Sequence, residues 1–304
     1  MEHATTAASA ARLWPALARF VAAEARVGDW AQARGPWVAG GYEFLRFGIK
    51  QGWACLFGGL LCAALIASYL FYPPDAALSR YDALTLAAIA IQAGLLLTRM
   101  ETWEEAKIIA LYHVVGTVME VFKTAHGSWL YPEPSFLRIG GVPLFTGFMY
   151  ACVGSYIARI WRLFDITFVR YPPSWTTWIL AGLIYLNFFT HHYGPDIRLG
   201  LFVASAILFG RTWFVFTPDL KPRRMPMLLG AVLVALFIWF AENLGTFAGA
   251  WIYPSQRDGW SMVPFSKMGA WYLLMLISFV LVSLVHRPVD ASVARIREGI
   301  KTAA

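Results

Sequence analysis

Eight long apolar stretches, separated by short charged loops, constrain the fold of this chain more than any other feature. Each stretch holds about 18 to 22 residues, which as a helix is long enough to cross the hydrocarbon core of a bilayer. Only 14% of the residues are charged, whereas a soluble domain has about 25%. The sequence therefore predicts an all-α, polytopic membrane helical bundle. Its spans are expected near 52–72, 82–99, 105–122, 143–160, 176–193, 197–216, 226–243 and 264–285.

The positions of the Lys and Arg residues indicate how these helices are oriented. Basic residues favour the cytoplasmic side of a membrane. If the N-terminus lies inside, 19 of the 25 Lys and Arg residues fall in cytoplasmic segments. We therefore expect a basic cytoplasmic segment over 1–50, a transmembrane domain over 51–288 and a cytoplasmic tail over 289–304. This topology also accounts for the net charge of +7, so membrane lipids, and not nucleic acid, are the expected partners.

One phrase of the sequence occurs twice. The segment "EVFKTAHGSWLYP" over 120–132 aligns without a gap with "ENLGTFAGAWIYP" over 242–254. The match continues where "GVPLFTGFMYA" from 141 meets "MVPFSKMGAWY" from 262. Each unit contains four spans, an even number, so both units enter the membrane in the same direction. The sequence therefore predicts two parallel four-helix repeats, over about 51–162 and about 173–286.

Each copy of the phrase places a glutamate, Glu120 or Glu242, where an apolar stretch ends. A charged carboxylate within a membrane helix costs about 2.5–3.5 kcal/mol on insertion scales, so such residues commonly mark a functional site. A structural hydrogen bond between helices would also explain them. The W-x-Y-P that follows suits an interfacial anchor, because Trp and Tyr favour the membrane boundary and Pro ends a helix.

Other polar residues gather at the same, outer ends of the predicted spans. His113 and Glu120 lie on one stripe of the third span, since residues seven apart share a helix face. If the chain is an enzyme, we expect Glu120 to be the proton donor, assisted by His113 or His126, with Glu242 orienting the substrate. Further candidate lining residues are Lys123, Asn187, His191, His192, Trp129, Trp251 and Asn243. The His spacing matches no metal-binding motif, so no metal is expected. The sequence also shows no signature of a tightly bound cofactor, and none is expected.

Two segments on the inner side carry charge. The segment "RMETWEEAK" (99–107) is expected to be a solvated hinge. The segment "KPRRMP" (221–226) is expected to be a loop, and its basic residues suit anionic lipid headgroups.

Long motifs give the chain a family resemblance. Over "TWEEAKIIALYHVVGTVMEVFKTAHGSWLYPEP", "NFFTHHYGPD" and "WFAENLGTFAGAWIYPSQ", the chain resembles the bacterial family called domain of unknown function 817, from about 45 to 288. This resemblance implies an uncharacterised integral protein of the bacterial inner membrane. A narrower likeness, limited to "IGGVP" and the two glutamates, is to the membrane lycopene cyclases and carotenoid hydratases. It implies protonation of a polyene by a carboxylic acid, although the paired-carboxylate motif of the cyclases is missing.

Three functions are open at the level of sequence, and enzymatic activity is not decided. The first, and the one that we expect, is a membrane-embedded enzyme that acts on a lipid or isoprenoid by acid–base chemistry. The second is a transporter of a small solute or ion along the axis between the repeats. The third is a non-catalytic scaffold or lipid-binding protein. A polar cleft that opens to lipid would favour the enzyme, whereas a dry, packed centre would favour the scaffold. The substrate and the oligomeric state are not predicted.

Overall fold

A computed structural model describes residues 15–283, 286, 288 and 289 of the chain. Helix dominates this part, as predicted. The helices of the described chain are α1 (Pro15–Ala33), α2 (Pro36–Ala54), α3 (Leu56–Phe71), α4 (Arg80–Leu97), α5 (Trp103–Ala125), α6 (Phe145–Leu163), α7 (Ser174–Thr190), α8 (Arg198–Phe209), α9 (Met227–Phe247) and α10 (Lys267–Val282). Each of the eight predicted spans overlaps one helix from α3 to α10, but the end of the span predicted over 197–216 forms a strand, and α1 and α2 were not predicted.

The lengths and surfaces of several helices suit a membrane. Within the described residues, α4, α5 and α9 are long and apolar enough to cross one, and α2 with α3 would form a fourth, broken span. Helices α8 and α10 are apolar but shorter. Large apolar side chains such as Leu97, Ile207 and Phe237 are 71% to 84% exposed, as expected of helices that face lipid. The chain thus has the properties of a membrane protein, while its eight crossings and its orientation stay predictions.

Two small sheets correct the all-α prediction. Strands β1 (Arg138–Ile139) and β2 (Val142–Pro143) form a hairpin. Strands β3 (Thr167–Val169), β4 (Trp213–Phe216) and β5 (Arg223–Pro226) form an antiparallel sheet in that order. Strand β5 occupies most of the segment 221–226 that was predicted to be a loop. These strands escaped prediction because periodicity needs a window of about 11–18 residues, and the longest strand has 4.

The described chain forms two compact units. The first contains the described residues up to Gln51 together with Pro218–Lys221. In it, Glu24 accepts a hydrogen bond of 2.5 Å from the Tyr42 hydroxyl and pairs with Arg46 at 2.9 Å. Arg46 also pairs with Asp219. The cytoplasmic location predicted for residues 1–50 stays a prediction, and the predicted tail over 289–304 lies outside the described residues except for residue 289.

In the second unit, α5 and α6 pack closely because glycines leave room for tyrosine rings. A Cβ atom on Gly116 would lie 2.7 Å from the Tyr150 side chain, and one on Gly154 would lie 2.7 Å from Tyr112. Small residues of this kind let membrane helices approach one another. The Tyr112 hydroxyl also donates to the Ser278 carbonyl at 2.5 Å, which ties α5 to α10.

The start of α5 is more deeply buried than the predicted solvated hinge over 99–107. Thr102 caps the helix and forms a capping box with Glu105, which is 1% exposed and pairs with Arg162 at 3.0 Å. Arg99, Glu104 and Lys107 are exposed, as predicted, and the last two form an ion pair of 2.9 Å. The local sequence could not reveal this burial, because the partner of Glu105 lies 57 residues along the chain.

Candidate functional site

Helices α5 and α9 end in the same way, and these ends position the two glutamates. Gly127 and Gly249 follow the helices with φ of 66° and 64°, a left-handed conformation that glycine adopts without strain. In both copies the amide after the glycine donates at 3.0 Å to the carbonyl five residues earlier. This is the Schellman cap, and it turns each W-x-Y-P segment away from the helix axis.

The Glu120 carboxylate accepts hydrogen bonds from three aromatic side chains. Its Oε2 atom accepts from Trp129 Nε1 at 2.7 Å and from the Tyr131 hydroxyl at 2.5 Å. Its Oε1 atom accepts from the Tyr150 hydroxyl at 2.8 Å. Burial, reinforced by the Glu120 charge, raises the pKa of Tyr131 well above its usual value, so this hydroxyl keeps its proton and donates. Glu120 is 3% exposed, and no Lys or Arg of the described chain lies within 4 Å of it.

The Glu242 carboxylate has a similar environment. It accepts from the Tyr253 hydroxyl and, at 2.6 Å, from Trp271 Nε1. Tyr253 is the tyrosine of the second W-x-Y-P. Trp271 stands where the sequence match places Tyr150, and an indole N–H replaces a phenol O–H as the donor. Glu242, like Glu120, is 3% exposed.

The two W-x-Y-P segments meet through their main chains. Leu130 N donates to Ile252 O at 2.9 Å, and Ile252 N donates to Leu130 O at 3.0 Å, which makes an antiparallel bridge. The rings of Trp129 and Tyr253 lie edge to face with their centroids 6.1 Å apart. The glutamate clusters are therefore joined through the segments that supply their donors.

Lys123 extends the first cluster with a group of histidines. Its side chain is almost fully buried, at 5% exposure for the residue. The ammonium contacts His191 Nε2 at 3.2 Å and His192 Nε2 at 2.8 Å, and lies 4.3 Å from the Phe188 ring centre. His191 Nδ1 is 2.8 Å from the Asn187 carbonyl, so Nδ1 carries the proton and Nε2 accepts from Lys123. His126 stacks on His192 at 5.0 Å and completes the group.

Among the predicted residues that the structure describes, Trp129 alone hydrogen-bonds to a glutamate, and His113, Trp251 and His126 have other contacts. The His113 ring packs on Phe148 at 4.4 Å between centroids, because its position lies about 10 Å along the helix from Glu120 at 1.5 Å per residue. The Trp251 ring covers Gly245, where a Cβ atom would lie 2.3 Å from it. His126 hydrogen-bonds to Tyr193.

The two predicted asparagines brace the ends of helices. Asn243 donates to the Trp239 carbonyl at 2.8 Å and accepts from the Val263 amide at 2.9 Å. Asn187 donates to Asp196 at 3.2 Å and accepts from the Ile197 amide at 3.1 Å. Both asparagines therefore hold turns beside the clusters and do not face the carboxylates.

Sequence analysis missed the role of the aromatic donors. Tyr131 and Tyr253 were interpreted as interfacial anchors, and Tyr150 and Trp271 were not among the candidate site residues. The available signal was the aligned pair Tyr150 and Trp271, because both side chains can donate a hydrogen bond to a buried carboxylate.

The space beside the first cluster is small. A cavity of about 10 Å³ lies between α5, α6 and α10, which is about the space of one water molecule. It is lined by Tyr112, Gly116, Met119, Tyr150, Leu274 and Ser278, among others. Among the residues that the structure describes, no group of three or more His, Cys, Asp and Glu side chains is arranged to hold a metal ion.

Comparisons with known proteins cover most of this architecture. A family model described as "Protein of unknown function (DUF817)" matches residues 43–279, a range that contains both glutamates. The "Uncharacterized protein YoaT" of Bacillus subtilis (strain 168) is 40% identical over 250 residues, which cover 82% of this chain and 94% of the relative. No solved structure matches. Neither description names a reaction.

Proposed function

The chain belongs to the DUF817 family of proteins of unknown function, and we propose from its geometry that it is a membrane-embedded scaffold and lipid-binding protein. In this proposal α3–α6 and α7–α10 are parallel repeats that cross the bacterial inner membrane in eight spans, with both termini in the cytoplasm. Glu120 and Glu242 stabilise the junction between the repeats and do not transfer protons to a substrate.

The junction itself supports the two-repeat architecture. The bridge joins Leu130 to Ile252, which are matching positions of the two aligned segments. Reciprocal contact between equivalent residues is what a two-fold axis produces. An axis along the membrane normal is the symmetry of parallel repeats. The shared Schellman caps and the shared Glu–Tyr hydrogen bonds point to the same relation.

The observation that carries the scaffold proposal is that aromatic donors of the protein already occupy both buried carboxylates. A general acid must lie within hydrogen-bond reach of its substrate, directly or through one water. Glu120 instead has three protein donors, and the cavity beside Tyr150 measures about 10 Å³. The protein donors on both carboxylates and this small cavity favour the scaffold over a site for a lipid substrate.

The same contacts disfavour transport along the axis between the repeats. A path on that axis would meet the Leu130–Ile252 bridge and the packed rings of Trp129 and Tyr253. A solute could pass only if these main-chain hydrogen bonds opened. The structure therefore favours a closed junction over the small-solute transporter.

The scaffold proposal is tested with Glu120→Gln and Glu242→Gln, with Glu104→Gln as the matched control. Each amide would turn an N–H group toward an aromatic donor, and one buried unsatisfied donor costs about 1–3 kcal/mol. We expect both variants to have a lower melting midpoint and a lower abundance in the membrane. The control should melt like the wild type, because the Glu104 side chain is 54% exposed. At matched abundance, mass spectrometry of membrane lipids and pigments should give the same profile for every strain.

The lipid or isoprenoid enzyme is the second candidate, favoured by one feature of Glu120. Phenol hydroxyls reach both of its oxygens, so a proton could pass between the carboxyl group and a substrate through Tyr131 or Tyr150. This candidate expects Glu120→Gln to keep wild-type stability while one lipid species disappears from the membrane. That result would exclude the scaffold proposal, and loss of a carotenoid would support the likeness to lycopene cyclases.

A further inference from the structure

The three-stranded sheet has two faces of opposite character. Phe168 and Phe214 pair across β3 and β4 and point into the core, where each packs on Phe279 at 5.5 Å and 5.9 Å between centroids. Side chains of neighbouring strand residues point to opposite faces. The other face therefore carries the alternate residues, namely Thr167, Val169, Trp213, Val215, Arg224 and Pro226.

A groove of about 270 Å³ lies on this second face, lined by Val169, Arg170, Trp213 and Arg224. Both arginines are exposed, and among the described residues neither has a carboxylate within 4 Å. Trp213, which also lines the groove, is 40% exposed. Two arginines that line one groove and have no counter-charge among the described residues suit an oxyanion, because a planar guanidinium group can donate two hydrogen bonds to one phosphate.

The backbone of Arg170 is held in an unusual conformation. Its φ is +57°, a left-handed value that costs a non-glycine residue about 1–2 kcal/mol. The buried Thr212 hydroxyl donates to the Arg170 carbonyl at 3.1 Å. The Thr212 carbonyl in turn accepts from the Met227 amide at 3.0 Å. The loop thus positions Arg170 at the groove before any ligand binds.

Apolar surface adjoins the groove. Helix α9 begins at Met227, directly after β5, and its Leu229 and Leu233 side chains are 47% and 42% exposed. A free inorganic anion would make no use of that surface, whereas acyl chains would cover it. An exposed Trp beside basic residues is also typical of a membrane interface.

From this arrangement we propose that the groove binds the phosphate of an anionic phospholipid headgroup through Arg170 and Arg224, with Trp213 against the headgroup. The proposal deepens the lipid-binding part of the proposed function, since it names the site and the lipid class. In the predicted topology the sheet lies at the cytoplasmic face, where anionic lipid attracts basic segments.

The test uses the purified full-length protein in a zwitterionic detergent. Its melting midpoint is measured against increasing dihexanoyl phosphatidylglycerol, dihexanoyl phosphatidylcholine and inorganic phosphate. A ligand that binds only the folded state stabilises it by RT ln(1 + L/Kd), where L is the free ligand concentration, so the midpoint rises with the ligand concentration. The variants are Arg224→Gln and Arg170→Gln. Arg223→Gln is the matched control, because it removes the same charge from the adjacent residue on the opposite face of β5.

We expect phosphatidylglycerol to raise the wild-type midpoint and phosphatidylcholine to leave it unchanged. Arg224→Gln and Arg170→Gln should weaken the apparent affinity at least about tenfold, as expected for the loss of a charge-assisted hydrogen bond. Arg223→Gln should stay within about twofold, since it leaves the groove intact. If Arg170→Gln does not fold, Arg224→Gln, on an exposed strand position, decides the test alone.

Three results would overturn the proposal. One is a wild-type midpoint that does not respond to phosphatidylglycerol. Another is an equal loss of affinity in Arg223→Gln and Arg224→Gln, which would indicate attraction by net charge. The third is an equal response to inorganic phosphate, which would identify a free anion as the ligand. Because the glutamate variants are measured without added ligand, failure of the groove and failure of the scaffold proposal are distinguishable.

Discussion

The Glu120 and Glu242 clusters share their geometry but differ in what surrounds them. Each glutamate lies five residues before the last residue of its helix and accepts a hydrogen bond from the tyrosine of its own W-x-Y-P. Glu120 has three aromatic donors, whereas Glu242 has two. Lys123 and its histidines lie beside the first cluster. In the second, Gly245 stands at the matching position and the Trp251 ring covers it.

The two predicted repeats also differ in the polarity of buried residues farther along α6 and α10. In α6, Ser155 and Arg159 are fully buried, and Arg159 pairs with Glu101 at 3.4 Å. The positions in α10 that match them are Leu276 and Val280, both buried and apolar. The shared features are thus those that build the junction, whereas buried charge is concentrated in the first predicted repeat. A junction of this kind needs the glutamate and its donors but not the additional charges.

The largest loss of stability is expected when the buried arginine of the first predicted repeat is replaced by valine, the residue at the matching position of the second. Arg159→Val leaves Glu101 without its cation in the interior, and breaking a buried pair costs about 3–5 kcal/mol. The double variant Arg159→Val with Glu101→Leu should recover most of this loss, because no uncompensated charge remains. Chemical denaturation in detergent measures both.

Lys107→Met is the control for this pair of variants. It breaks the exposed Glu104–Lys107 pair, so about 0–1 kcal/mol is expected. Equal instability of the single and the double variant would show that Arg159 contributes by packing and that the buried charge is not the reason for the difference between the repeats.

An intermediate loss of stability is expected when the tyrosine hydroxyl of W-x-Y-P is removed from either cluster. Tyr131→Phe and Tyr253→Phe each remove one hydrogen bond to a carboxylate, which contributes about 1.5–3 kcal/mol. Tyr253→Phe should be the more destabilising, because Glu242 would keep one of its aromatic donors while Glu120 would keep two. Thermal and chemical unfolding of the two variants give the comparison.

Tyr193→Phe is the control for the tyrosine variants, since Tyr193 also hydrogen-bonds through its hydroxyl but is 74% exposed. It should unfold like the wild type. If Tyr131→Phe proved more destabilising than Tyr253→Phe, the number of remaining donors would not explain the stability of the two clusters.

The smallest effect on stability is expected in the turns before α4 and α8. Asp75 and Asp196 occupy matching positions in these two turns. Burial raises the pKa of Asp196, but hydrogen bonds from Asn187 and from Arg198 outweigh it and lower the pKa below its usual value. As the pH falls, Asp196 is therefore protonated in the unfolded chain before it is protonated in the folded chain. Its contribution to stability is complete above about pH 4 and is lost as the pH falls below that value.

This pH dependence is checked by melting midpoints between pH 7 and pH 3. Asp196→Asn should lower the midpoint at pH 7 and lose less stability than the wild type on acidification. Asp75→Asn, in the exposed matching turn, should follow the wild-type curve. Parallel curves for Asp196→Asn and the wild type would contradict the assignment.

Much of the helical architecture could be predicted from local sequence. The apolar stretches located α3 to α10, because the length of a membrane helix follows from the thickness of the bilayer. The duplicated phrase identified Glu120 and Glu242 as the unusual residues, because a carboxylate in an apolar run is costly wherever it lies. His113 and Glu120 both lie in α5, but the rise along the helix axis keeps the two side chains apart.

Contacts between distant segments could not be predicted. The sheet combines strands from 167–169, 213–216 and 223–226, and no single strand is long enough to show a pattern. The burial of Glu101 with Arg159 joins residues that are 58 positions apart. Lys123 meets His191 and His192 across 68 and 69 positions, so their spacing in sequence gave no sign of the group.

Although it did not predict α1, α2 or the end of α8 at Phe209, the sequence alone thus located α3 to α10 and the polar residues that are out of place in them. These properties follow from hydrophobicity, capping and chain direction, which act over a few neighbouring residues. Only the tertiary structure decided that Trp and Tyr side chains donate hydrogen bonds to the glutamates, and that the two W-x-Y-P segments bond to each other. Those outcomes depend on which donors packing brings within about 3 Å of a buried acceptor, and that distance is set by the whole fold.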